Sequence, residues 1–175
     1  MDNHDFMVAA ADIADIAAEF HDRVARMVCC NMATVDERDR PRSRIAHPIW
    51  DGPIGWIGTW RTSVRSGHCA PAVKVRQLAH NPFVSLAYIG ELAKPVYVDG
   101  RAEVVDDLAP RRRFWELAKS SPPPYGYDPA ETFSTPDGAL GTPDDPRFAV
   151  LRVEPSRIVL VDFPAPPGQV IVWRA

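Results

Sequence analysis

The hydrophobic period of this chain changes near residue 28, and that change constrains its fold more than any other feature. Over residues 12–28, apolar side chains recur at helical spacing and charged residues occupy the other face. This spacing predicts an amphipathic helix. Downstream, short apolar runs alternate with polar turns over residues 29–35, 42–50 and 54–60. Three short strands joined by tight turns predict an antiparallel meander.

The rest of the chain continues this mostly β pattern. Further strands are expected at 83–89, 95–105, 148–153, 158–163 and 170–173, and further helices at 71–80 and 107–119. At least six short strands with two or three helices do not match a parallel α/β fold. The pattern predicts one domain over residues 1–175, mainly β with α, in which helices cap an antiparallel barrel.

Composition and charge exclude several classes of protein. The formal net charge is −3 and no basic stripe is present, so we expect no nucleic-acid partner. The apolar runs are too short to cross a membrane, and the first residues lack the layout of a signal peptide. We therefore expect a cytoplasmic protein with no membrane partner. Cys29, Cys30 and Cys69 fit neither a disulfide framework nor zinc spacing.

Residues 120–146 are rich in Pro, Gly, Asp and Thr, and they read as one long loop. Loops of this length in a compact domain tend to be lids, partner-binding arms or disordered segments. Three aromatic residues, Tyr125, Tyr127 and Phe133, favour a contact role over disorder. The loop is a candidate cover for a ligand.

The usual catalytic motifs do not occur. The sequence contains no nucleophile elbow, no phosphate-binding glycine loop and no His-Glu-x-x-His, and its five histidines show no metal spacing. What remains is a cluster of cations and hydroxyls near the second and third strands. Its members are Arg42, Ser43, Arg44, Thr59, Arg61, Thr62, Ser63, Arg65, Lys74 and Arg76. Such a mixture suits a phosphate group, although surface charges cluster in this way without a ligand as well.

Several pieces of sequence, in a fixed order, carry a family resemblance. They are Met32-Ala33-Thr34-Val35, Arg40-Pro41-Arg42-Ser43-Arg44, His47-Pro48-Ile49-Trp50, Trp56-Ile57-Gly58-Thr59, the run from Lys74 to Tyr88, and Val96 to Asp107. Together they resemble the pyridoxamine 5′-phosphate oxidase-like superfamily of FMN-binding split barrels. This resemblance implies a six- to seven-stranded antiparallel split β-barrel with two to three capping helices.

The resemblance also implies a homodimer with FMN in a groove between the subunits. The strand Arg42-Ser43-Arg44-Ile45-Ala46 matches the one along the flavin ring, and Thr59 and Ser63 match hydroxyl positions near the ribityl phosphate. Lys74 matches the phosphate-binding lysine that opens the short helix. Residues 66–72 intervene between the Ser63-Val64-Arg65 piece and that helix, so Arg65 is an alternative phosphate ligand.

Proteins of this family transfer hydride to or from a small molecule, and the expected function is an FMN-dependent oxidoreductase of unknown substrate. We do not recognise the Arg-x-His segment with which pyridoxamine phosphate oxidases bind substrate, so another substrate is expected. His47 is the candidate acid or base beside the ring. The alternatives are a deazaflavin-dependent reductase, a non-catalytic flavin-binding or carrier protein, and a cofactor-free dimeric interaction module.

Overall fold

The computed structural model describes residues 7–65, 68–135, 137–163 and 168–175, and the side chains of residues 63–70 lie outside the description. The strands are β1 (Met7–Ala10), β2 (Cys30–Val35), β3 (Pro41–Ala46), β4 (Ile49–Asp51), β5 (Ile54–Trp60), β6 (Thr62–Arg65), β7 (His68–Pro71), β8 (Phe83–Tyr88), β9 (Val96–Val105), β10 (Phe148–Asp162) and β11 (Gln169–Arg174). The helices are α1 (Ala14–Met27), α2 (Val73–His80), α3 (Leu108–Ser120) and α4 (Pro129–Thr132).

One sheet of nine strands organises the described chain, in the order β1-β11-β10-β9-β8-β2-β3. The long strand β10 pairs with β9 along one edge, while its other edge is shared by β5 at residues 148–153 and by β11 at residues 157–162. The sheet therefore forks at β10. It stays open, because no ladder within the described residues joins β3 to β5, and the chain itself crosses that gap from β3 to β4.

Helix α1 covers the apolar interior enclosed by the sheet. Ile16, Phe20 and Val24 lie on its buried face, and the Phe20 ring meets Trp50 edge-on at 4.8 Å between centroids. The helix keeps its charged residues outside, as the sequence period predicts. Burial of each of these large apolar side chains is worth about 1.5–3 kcal/mol. This interior is the main core, and it fixes the strands that carry the candidate site.

A second apolar cluster lies on the other face of β5 and β10, beneath α3 and α4. Phe114, Phe133 and Phe148 are buried there, and the rings of Phe133 and Phe148 are 4.8 Å apart. Arg111 of α3 is also buried, because its guanidinium lies over the Phe148 ring and donates to the Asp145 carbonyl. This cluster anchors residues 120–146 to the sheet.

The predicted architecture, mainly β with capping helices, is confirmed, and the differences are local. Residues 42–50 form two strands, β3 and β4, because the chain bends at His47-Pro48. Residues 148–162 form one strand with a register shift between Pro155 and Arg157, rather than two strands. The antiparallel pair of strands β6 and β7 has no counterpart among the expected elements. Strand β1, which pairs with β11 in parallel, has no counterpart among the expected elements.

Candidate functional site

A cavity, here called the main cavity, lies between the sheet and the proline-rich segment, residues 120–146. Its volume is about 610 Å³, which suits a ligand of cofactor size. One side, here called the sheet wall, consists of residues 45–47 at the end of β3 and residues 57–60 of β5. The other side, the segment wall, consists of Pro124, Tyr127, Thr132 and Phe133. Lys74 of α2 also lines this main cavity.

The structure divides the predicted site residues between two places. Ile45, Ala46, Thr59 and Lys74, together with the acid–base candidate His47, line the main cavity. Arg42, Ser43 and Arg44 line a separate cavity of about 350 Å³, here called the arginine groove, with Arg40 and Arg76. The side chains of Ser63 and Arg65 lie outside the described residues, so their predicted roles stay predictions.

Arg42 is held by a carboxylate in the arginine groove. Its guanidinium contacts the Asp36 carboxylate at 2.9 Å, and Arg40 contacts the same carboxylate at 2.9 Å. These charge-assisted hydrogen bonds, with backbone N–H groups of Arg38 and Arg40, hold the pKa of Asp36 well below its usual range. Arg42 thus closes the turn between β2 and β3.

Arg44, two residues further along β3, has no carboxylate partner within the described parts of the chain. Its guanidinium donates one hydrogen bond, to the Oε1 atom of Gln77, which also accepts from the Thr34 hydroxyl. Its Nη1 atom is buried and has no hydrogen-bond partner among the described residues. Burial lowers the pKa of Arg44, and no carboxylate offsets that shift. A buried donor of this kind is uncommon unless a ligand completes it.

Lys74 adds a second cation next to Arg44. The pKa of Lys74 is lowered mainly by burial and further by the positive charge of Arg44. Lys74 lies in the first turn of α2, whose N-cap residue Ala72 makes no side-chain hydrogen bond to the helix. Lys74 lines the main cavity and Arg44 lines the arginine groove, so the two cations meet where these cavities adjoin, here called the cationic corner. With the uncapped helix N-terminus they give this corner a positive potential, and neither cation forms an ion pair with a carboxylate of the described residues.

His47 marks the other end of the sheet wall. Its Nε2 atom is 2.8 Å from the carbonyl oxygen of Tyr125, and because a carbonyl only accepts, Nε2 carries the hydrogen. Burial lowers the pKa of His47, although this hydrogen bond opposes the shift. The imidazole is therefore neutral near pH 7, and its Nδ1 atom is an acceptor.

Tyr125 ties the proline-rich segment to the bend between β3 and β4. Besides accepting from His47 at its carbonyl, its hydroxyl accepts from the backbone N–H of Trp50 at 2.6 Å. Next to it, Gly126 lies so close to Ser121 that an added Cβ would be 1.9 Å from the Ser121 carbonyl oxygen. These contacts place Tyr127 in the cavity, with its ring 4.9 Å from the His47 ring.

Sequence reasoning made residues 120–146 a candidate cover for a ligand, but it assigned none of the individual residues of the segment wall to the site. The aromatic residues between 120 and 146 indicated contact with the rest of the molecule, yet nothing in their spacing showed which surface they would meet. Asp128 caps the short helix α4 through the N–H of Ala130 at 2.9 Å, and Pro129 follows it at the first helical position. This cap signal could have located α4, which carries Thr132 and leads into Phe133.

The described residues contain no group of His, Cys, Asp or Glu side chains that could hold a metal ion. None of their helices has the length and apolar character that crossing a membrane requires.

Comparison with known proteins defines the class first through structure. A protein from Clostridium acetobutylicum related to general stress protein 26 of B. subtilis, of the pyridoxinephosphate oxidase family, superposes with a TM-score of 0.64 at 16% identity, covering 91% of this chain and 94% of that one. A pyridoxamine 5′-phosphate oxidase-related FMN-binding protein from Nostoc punctiforme PCC 73102 gives 0.67 at 15% identity, covering 91% and 90%. A structure described as an F420 reductase gives 0.53 at 19% identity, covering 79% and 94%. These likenesses show a split-barrel fold.

The family follows from the sequence model. The model for pyridoxamine 5′-phosphate oxidase matches residues 16–162, which is most of the chain. This protein therefore belongs to the pyridoxamine 5′-phosphate oxidase family, as the sequence pieces indicated. A search of curated proteins finds no match.

Proposed function

We propose that this protein is a flavin-dependent oxidoreductase that binds FMN in the main cavity and transfers hydride to or from a small molecule. The observation that carries the proposal is the cationic corner where the main cavity adjoins the arginine groove: Arg44, Lys74 and the uncapped N-terminus of α2 meet there, and the described residues offer neither cation a carboxylate partner. A dianionic phosphate would satisfy the buried Nη1 atom of Arg44 and offset both charges. The cofactor of the family thus fits the residues present.

The sheet wall would position the flavin ring. From Arg44 to His47 the chain runs about 10 Å at 3.3 Å per residue, so a ligand with its phosphate at Lys74 extends toward His47 along residues 45–47. Thr59 lies on the same wall, 4% exposed, where its hydroxyl can meet the ribityl chain. Apolar contacts from Ile57, Trp60 and Phe133 would exclude water from the ring. FMN would supply the hydride chemistry, and these residues bind and orient it.

A homodimer is part of the proposal. Ile45, on the edge strand β3 beside the cavity, is 72% exposed, which is unusual for a large apolar side chain lining a binding site. A second copy of the chain, or the cofactor together with that copy, would cover it. The expected dimer would build the groove from both subunits.

The cofactor titration tests the proposal. Purified protein is titrated with FMN and, separately, with a phosphate-bearing deazaflavin, and the change in fluorescence gives each Kd. We expect FMN to bind below about 100 μM, which corresponds to roughly 5.5 kcal/mol. Stopped-flow reduction by NADH or NADPH then tests turnover, and sedimentation tests the dimer.

Each outcome assigns the protein. Tighter binding of the deazaflavin favours a deazaflavin-dependent reductase. A carrier is favoured if FMN binds but is not reduced by NADH or NADPH, and if bound FMN that has been reduced with dithionite is not reoxidised by any of the substrates screened. If neither cofactor binds below about 100 μM, the flavin proposal is wrong and a dimeric interaction module takes its place.

A further inference from the structure

The main cavity has a neutral end that the phosphate site does not use. The rings of His47 and Tyr127 lie 4.9 Å apart with an angle of 38° between their planes, and both residues line the cavity. His47 comes from the sheet wall and Tyr127 from the segment wall. The sheet wall and the segment wall are therefore in contact at this pair, and each contributes a polar side chain there.

Tyr127 offers a hydrogen-bond donor. Its ring also packs edge-on against Phe114, at 6.4 Å between centroids, and this contact fixes the ring at the cavity. Burial, helped by the nearby Cys29 thiol, raises the pKa of the phenol, so the hydroxyl stays protonated at neutral pH. The described residues provide no hydrogen-bond partner for this hydroxyl. A protonated phenol without a partner is free to donate to a ligand.

His47 offers the complementary acceptor. Its Nε2–H is engaged by the Tyr125 carbonyl at 2.8 Å, and this bond holds the ring in one tautomer. The other ring nitrogen, Nδ1, carries a lone pair and has no hydrogen bond within the described parts of the chain. Donor and acceptor are thus side by side, and both are uncharged.

We propose that Tyr127 and His47 form the subsite for the second reactant and that it takes an uncharged, planar carbonyl compound such as a quinone or an enone. The Tyr127 hydroxyl donates to the carbonyl oxygen, and Phe133 and Pro124 contact the flat apolar body. This inference rests on the proposed function, because the cofactor has to occupy the Lys74 end.

Charge supports the choice of an uncharged ligand. Lys74 is the one cationic side chain that lines the described cavity, and the phosphate engages it. A carboxylate at the neutral end would lose its hydration and find no counter-charge there, which is costly. The subsite therefore selects against anionic substrates.

The test uses the FMN-loaded protein in its oxidised form, so that binding is measured without turnover. Menadione is the uncharged quinone probe and benzoate the anionic one, and each is titrated while the flavin absorbance is followed. We expect Tyr127→Phe, which keeps the ring contacts, to weaken menadione binding about fivefold, the effect of one neutral hydrogen bond. The FMN affinity should change less than twofold. The control Tyr97→Phe, on β9 and away from the cavity, should leave both affinities unchanged.

Two results would overturn the inference while leaving the proposed function intact. One is menadione binding that is equal in the wild type and in Tyr127→Phe, with FMN bound to both. The other is benzoate binding as tight as that of menadione. Failure of the wild type to bind FMN would instead overturn the proposed function, and the subsite with it.

Discussion

The two walls of the main cavity are held in different ways. The sheet wall belongs to strands with continuous ladders, since Thr59 pairs with Ala149 and Ala46 pairs with Cys30. The segment wall has no such ladder in the described residues and is held by side-chain contacts, namely the hydrogen bonds of Tyr125 with His47 and Trp50 and the burial of Phe133 in the second apolar cluster. The difference teaches that the sheet wall is the more rigid side of the cavity. The segment wall, which carries Tyr127, depends instead on contacts that single substitutions can weaken.

The largest expected loss of stability comes from a substitution in the sheet, at Gly100 of β9. An added Cβ at Gly100 would lie 2.3 Å from the Glu154 carbonyl oxygen, where β9 passes the irregular part of β10. Because the carbonyl oxygen is a backbone atom and the Cβ position is fixed by the Gly100 backbone, neither can move without a shift of a strand, and we expect Gly100→Ala to cost about 3 kcal/mol of unfolding free energy. Urea denaturation measures this loss.

Gly138, in the proline-rich segment, is the control for Gly100. Its φ of 86° favours glycine, but an added Cβ would meet no atom within 4 Å. Gly138→Ala should therefore cost about 1 kcal/mol, from backbone strain alone. Equal losses for the two variants would mean that the sheet is not the stiffer region.

Two arginines on β3, Arg42 and Arg44, differ in their partners, and comparing them tests which one binds the phosphate. Arg42 is paired with Asp36, whereas the Nη1 atom of Arg44 has no partner among the described residues. We expect Arg44→Ala to weaken FMN binding about tenfold, because it removes a charge-assisted contact, and Arg42→Ala to change it less than twofold. Fluorescence titration distinguishes them, and the opposite order would contradict the assignment of the phosphate to Arg44 and Lys74.

Tyr125→Phe loosens the segment wall without touching the sheet. The substitution leaves the backbone N–H of Trp50 without its acceptor, and we expect a loss of about 1–2 kcal/mol. Limited proteolysis between residues 120 and 146 should become faster, while hydrogen exchange in β9 and β10 stays slow. Uniformly faster exchange across the sheet would show that the two walls unfold together.

The smallest effect concerns pH and His47. Burial lowers its pKa in the folded state below the ordinary value of 6.5, so the unfolded chain takes up a proton at a higher pH than the folded protein does. Stability should therefore fall as pH decreases from 7 through 6.5, before the carboxylates titrate. His47→Gln should flatten this part of the profile, and chemical denaturation at several pH values checks it. A slope that is the same in both proteins would contradict a buried neutral imidazole.

The sequence was informative about the helices, strands and site positions that a local pattern or the order of the family motifs determines. Helix α1, strands β2 and β5, and the positions of Thr59 and Lys74 on the main cavity all follow from hydrophobic period and motif order. The mainly β class needed no contact information.

What the sequence did not show depends on contacts between distant residues. Nothing local distinguishes Arg42 from Arg44, because only the folded turn brings Asp36 to one of them. Likewise, Tyr127 meets His47 across 80 positions of sequence, through a segment whose prolines and glycines obscure any period. Such pairings become visible only when the sheet and the second apolar cluster are assembled.

The most direct test of the central claim compares FMN with riboflavin, which lacks the phosphate, in the wild type and in Lys74→Ala. The account predicts that the wild type binds FMN at least about tenfold more tightly than riboflavin, and that Lys74→Ala loses most of this preference while its riboflavin affinity is unchanged. Lys94→Ala, whose lysine pairs with Asp162 away from the cavity, serves as the control and should keep the preference. An FMN preference that survives in Lys74→Ala would contradict the assignment of the phosphate to this corner.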